Sequence, residues 1–175
     1  MRTTLAFRRI RRKLFGRRAR LRFDKHRWEQ MIDELHQRGE RRRESGAFLL
    51  ALRGDTSGYV SKIVYLDDLD PNCLVGGIHF DGKAYSKLWS ICDDESLQVI
   101  ADIHTHPQDW VEQSKTDRAN PMVSRNGHLG LIAPNFASGN ISPADLGVHE
   151  YRSEAGWQSF LDQDAERLIY VGRFA

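Results

Sequence analysis

Residues 47–52 read Ala-Phe-Leu-Leu-Ala-Leu, an unbroken apolar run closed at once by Gly54 and Asp55. A run this short, bounded by turn residues and lacking polar alternation, is a strand buried on both faces. A sheet that holds such a strand is covered on both sides, so the chain must supply layers above and below it. Two helical patterns do so. Asp24 is a suitable N-cap, and Trp28, Met31, Ile32 and Leu35 share one face of a helix over 24–38 that ends near Gly39. Residues 81–92 repeat the spacing through Tyr85, Leu88, Trp89 and Cys92. Further strands are predicted at 59–66, 99–103, 128–133, 147–152, 156–160 and 168–172, with an acidic loop carrying Pro71 after the first of these. The expected architecture is α/β, a single mixed β-sheet flanked by helices.

With 175 residues and 40% hydrophobic content, the chain can bury one proper core. No apolar stretch approaches the ~20 residues that span a bilayer. Two cysteines, Cys73 and Cys92, are too few for a disulfide scaffold or a cysteine-based zinc module, and nothing calls for an oxidising compartment. The net charge of +2 hides an asymmetry: residues 1–43 hold 16 Lys+Arg against 5 Asp+Glu, whereas the remainder is net acidic. Residues 1–23 form a basic N-terminal arm with ten basic side chains and no acid, and 24–175 form the folded domain. Phe7, Ile10 and Leu14 recur at helical intervals in the arm, as in a basic amphipathic helix. Its expected state is solvated or docked on the acidic remainder, with nucleic acid or an anionic membrane as the alternative partner.

The chemistry concentrates in His104-Thr105-His106-Pro107, followed by Ser114 and Asp117. The two histidines stand two residues apart at the end of a predicted strand, so period-2 alternation turns both imidazoles to one side. Each can offer a nitrogen to one zinc ion, and Asp117 can return from the first turn of a following helix as an oxygen ligand. Three protein ligands leave a fourth tetrahedral position for water, as in catalytic zinc sites. Taken singly, each piece is ordinary: Ser114 with an acid three residues on is a common helix start. The whole pattern arises by chance in fewer than about one chain of this length in a thousand. His79, His128 and His149 lack ligand spacing and read as structural. Cys73 and Cys92 read as ordinary, although Cys73 sits in the loop 67–77, from which it could approach substrate. Trp110 either lines a channel or plugs the core.

His104-Thr105-His106, seven residues, then Ser114-x-x-Asp117 resembles the signature of the JAMM (MPN-plus) zinc metalloproteases. Glu44, in Glu-Ser-Gly ahead of the buried strand, matches that family's separate glutamate. The resemblance spans roughly residues 24–175 and implies a cytidine-deaminase-like MPN (JAB) domain. It implies one zinc ion on His104, His106 and Asp117, with Glu44 as general base and Ser114 as oxyanion donor. It further implies cleavage after the C terminus of a ubiquitin-like modifier, in deconjugation or precursor processing, in the cytoplasm. Asn120-Pro121-Met122 and residues 127–137 are similar to the bacterial JAB-type branch, whose members sit beside ubiquitin-like conjugation enzymes in antiphage operons. A catalytically silent scaffold of the same fold, and a protein recruited to nucleic acid or membrane by its arm, are the alternatives. The intact set of five residues argues against the first.

Overall fold

The computed structural model describes residues 19–173 except Gly76, so the amphipathic pattern at Phe7, Ile10 and Leu14 lies outside the described residues. Strand β1 (Leu21–Asp24) leads directly into helix α1 (Lys25–Gly39), whose N-cap is Asp24: its Oδ1 accepts the Arg27 N–H at 2.8 Å. This bond holds the Asp24 carboxyl below the usual carboxylate range. Strands β2 (Gly46–Leu52) and β3 (Lys62–Tyr65), the short helix α2 (Leu66–Leu69), helix α3 (Gly82–Asp94) and strand β4 (Leu97–Thr105) follow. Helix α4 (Lys115–Ala119) precedes strands β5 (Leu129–Ala133), β6 (Gly147–Tyr151) and β7 (Trp157–Phe160). Helix α5 (Asp162–Glu166) and strand β8 (Ile169–Gly172) close the domain.

Among the described residues, six strands form one mixed sheet in the order β3-β2-β4-β5-β6-β7, parallel only between β4 and β5. Strand β1 pairs in parallel with β8 as a separate two-stranded ribbon. Residues 21–23, which charge alone assigns to the basic arm, thus enter the folded domain: Leu21 and Phe23 are buried while Arg22 between them is not. The alternation is strand-like, but its partner lies at the far end of the chain.

Strand β2 is buried along both faces from Gly46 to Ala51, as its composition demands. Ala47 and Leu49 face a core with Trp28, Met31, Ile32 and Leu35 of α1; Phe48 and Leu50 face a second core with Ala84, Leu88 and Cys92 of α3. One sheet is therefore covered by a helix on each side. Strand β3 is shorter than the apolar stretch 59–66 suggests. Val60 leaves the ladder and its N–H donates to the Arg22 carbonyl at 3.0 Å, while the Arg22 N–H donates to the Gly58 carbonyl at 2.8 Å, and Leu66 begins α2. No helix of the described residues is long and apolar enough to cross a membrane.

Candidate metal centre

Strand β4 places the histidines. Ala101, Ile103 and Thr105 are wholly or almost wholly buried, while Asp102 and His104 project from the opposite face of the strand. Gly46 of β2 pairs with His104, and β5 runs parallel on the other side, so the strand end is held from both flanks. Past the strand, the His106 N–H donates to the Ala133 carbonyl at 2.8 Å, and its carbonyl accepts the Phe136 N–H at 2.8 Å. Asn135, Phe136 and Ala137 all adopt positive φ, an unusual left-handed turn for three non-glycine residues. That turn lets the Asn135 and Phe136 N–H groups reach back to the carbonyls of Gln108 and His106. Pro107 follows the last ladder position, where a donor is no longer needed.

The aspartate arrives by a capping box. Ser114 is the N-cap of α4: its Oγ accepts the Asp117 N–H at 3.1 Å, and Asp117 Oδ2 accepts the Ser114 N–H at 2.7 Å. The box fixes the carboxylate, and its oxygens face the imidazoles. Asp117 Oδ1 lies 3.7 Å from His104 Nε2, Oδ2 lies 3.4 Å from His106 Nε2, and the two Nε2 atoms are 3.3 Å apart. All three ligand atoms fall within 4.8 Å of one another, so these residues are placed to hold one metal ion.

The donor chemistry fits. Burial is the main cause that pushes the His104 imidazole below its ordinary pKa, favouring the neutral form a metal needs. Burial alone would raise the Asp117 carboxyl, but His106, His104 and the Ser114 groups outweigh it and hold the carboxyl well below the usual range. His106 Nδ1–H donates to the Trp110 carbonyl at 3.2 Å, which directs Nε2 toward the ligand cluster.

Glu44 precedes β2 and is half-buried on the wall of the same cavity, which has a volume of about 930 Å³. Burial raises its pKa; the His106 charge opposes that rise and the Asp117 charge adds to it, which places Glu44 within electrostatic reach of both. Its position is fixed through Ser45. The Ser45 N–H donates to Thr105 Oγ1 at 3.0 Å, and the Ser45 hydroxyl donates to the Leu35 carbonyl at 2.6 Å.

The other sequence candidates separate cleanly. Trp110 lines the cavity, its ring 4.1 Å from that of His106 and partly exposed, so it is wall rather than core plug. Cys73 is buried, its thiol pushed up to about 11 by burial and nearby aspartates, and it does not line the cavity. His79 is exposed on the cavity rim and is not a structural histidine. His149 is structural: Nε2–H donates to the Val111 carbonyl at 2.9 Å while Nδ1 accepts the Ser159 hydroxyl at 2.9 Å. It thereby fixes the peptide group next to the Trp110 carbonyl, a role that spacing could not reveal. His128 is also buried, paired with Asp102 at 2.6 Å.

No family model matches the chain. Among solved structures, protein DSY2949 of Desulfitobacterium hafniense aligns with a TM-score of 0.60 and 15% identity, over 86% of this chain and 92% of that one. A protein from Salinibacter ruber aligns with a TM-score of 0.52 and 12% identity, over 79% and 87%. AF2198 of Archaeoglobus fulgidus, a JAB1/MPN domain protein, aligns with a TM-score of 0.43 and 12% identity, over 86% and 96%. The first two likenesses are of fold alone.

Proposed function

We propose that the chain is a JAMM-type zinc isopeptidase or peptidase that cleaves after the C terminus of a ubiquitin-like modifier. The observation that carries this reading is the convergence of His104, His106 and Asp117 with half-buried Glu44 on one cavity. The motif resemblance supplies the substrate class. Conjugation enzymes of a bacterial antiphage system are the proposed partners, in a cytoplasmic setting.

His104, His106 and Asp117 would hold the ion; a bound zinc lowers the pKa of water toward ~7 and polarises a carbonyl. Glu44 takes a proton from the attacking water and delivers it to the leaving amine. Partial burial suits it to both jobs, because a raised pKa brings the carboxyl nearer the working pH. Ser114 Oγ already accepts the Asp117 N–H, so its own O–H stays free to donate to the developing oxyanion.

The test is a fluorogenic conjugate of a ubiquitin-like protein, assayed with added zinc, with chelator, and with Ser114→Ala. The expected result is cleavage that chelator abolishes and zinc restores, with kcat lowered about 10²–10³-fold in Ser114→Ala. Cleavage indifferent to chelator would exclude the mechanism.

A further inference from the structure

Asp102 stands two residues before His104 on β4, so its carboxylate shares that face about 7 Å along the strand. The residue is only 6% exposed, yet it forms part of the cavity wall. Its Oδ1 accepts His128 Nε2–H at 2.6 Å. Oδ2 has no hydrogen-bond partner among the described residues. It lies over Gly130, where an added Cβ would stand 3.6 Å from Oδ2 and 3.9 Å from Trp157 Cζ3. A side chain there would fill the space that glycine leaves open. Tyr85 lines the same cavity: its hydroxyl donates to the Met122 carbonyl at 2.7 Å, and its pKa is pushed up to about 12 by burial and by the Asp102 charge.

A carboxylate oxygen with no donor among the described residues, on the wall of a cavity, is open to a donor that a ligand brings. The open space beside this oxygen borders Trp157, with Tyr85 also lining the cavity, and aromatic walls favour a cation over a neutral group. We propose that Asp102, held by His128, is a specificity residue that takes a lysine or arginine side chain of the substrate within about two residues of the scissile bond. The inference rests on the isopeptidase reading and deepens it, since the strand spacing sets the distance from the ligand cluster. Such a side chain belongs either to the modifier's tail or to the target chain.

The test uses the full-length Glu44→Gln protein loaded with zinc, so that binding is read without turnover. Fluorescein-labelled isopeptide-linked alanine peptides carry arginine, or its neutral isostere citrulline, at each of the two positions on either side of the isopeptide bond. Anisotropy should show arginine favoured about tenfold at one position, and the side of the bond on which it falls identifies tail or target. Adding Asp102→Asn should bring the arginine-to-citrulline ratio to about one. Gly130→Val leaves the Asp102–His128 pair intact, should have the same effect by filling the space, and decides the matter if Asp102→Asn no longer takes up zinc. No arginine preference at any position, or a preference unchanged in the zinc-loaded variants, overturns the proposal. A preference that behaves as expected in a protein whose wild type hydrolyses no conjugate would refute the hydrolase reading alone.

Discussion

Glu44→Gln should keep its zinc and lose at least about a hundredfold, and up to ten-thousandfold, in kcat on an isopeptide substrate. The two effects separate because the candidate ligand atoms belong to His104, His106 and Asp117, while Glu44 lines the same cavity from the segment just ahead of β2. Glutamine preserves size and most packing at a half-buried position but cannot accept and release a proton. Neighbouring Glu40 supplies the control. It is exposed at the C-cap of α1, so Glu40→Gln should leave kcat unchanged. Equal activity in the two variants would remove Glu44 from the mechanism.

Gly147→Ala should weaken zinc binding about 10–100-fold even though residue 147 touches no ligand atom. An alanine Cβ there would sit 2.0 Å from the Val111 carbonyl oxygen, a backbone atom that must therefore move. His149 anchors that same carbonyl, and the preceding residue's carbonyl accepts the His106 Nδ1–H. Displacing the loop thus frees the His106 ring from the bond that orients it. Overpacking of this kind costs about 1–3 kcal/mol, or roughly 2–4 °C of melting temperature per kcal/mol in a domain of this size. A metal titration beside a thermal melt checks both. Unchanged zinc affinity would show that the Trp110 carbonyl does not matter to the site.

Much of the fold was legible because its signals are local. Asp24 caps its helix through an N–H three residues away, residues 47–52 carry no polar alternation, and Asp81 caps α3 in the same way. The grouping of the three candidate ligand residues was legible for a similar reason. Period-2 alternation aligns His104 with His106, and a capping box spans Ser114 to Asp117. What escaped depends on distant partners. Strand β1 is hidden within a run of arginines and makes sense only against β8. The left-handed turn at Asn135–Ala137 contains a phenylalanine at positive φ, which no propensity favours, and it exists to reach the backbone of residues 106–108. The loop position of Cys73 leaves open an approach to substrate, but the residue packs in the core with Ala84, Leu88 and Cys92 of α3. Asp102 reads from sequence as one more strand residue, although its spacing of two from His104 is the signal that places it at the cavity.

The claim on which the rest depends is that three side chains, from the end of one strand and the first turn of one helix, hold a single divalent ion. Titration of the metal-free protein with Co2+, read by visible absorption and by calorimetry, measures this directly. The account predicts one ion per chain, with a tetrahedral or five-coordinate spectrum in the wild type and in Glu44→Gln, and its loss in His104→Ala, His106→Ala and Asp117→Ala. The same stoichiometry and affinity in Asp117→Ala as in the wild type would contradict it.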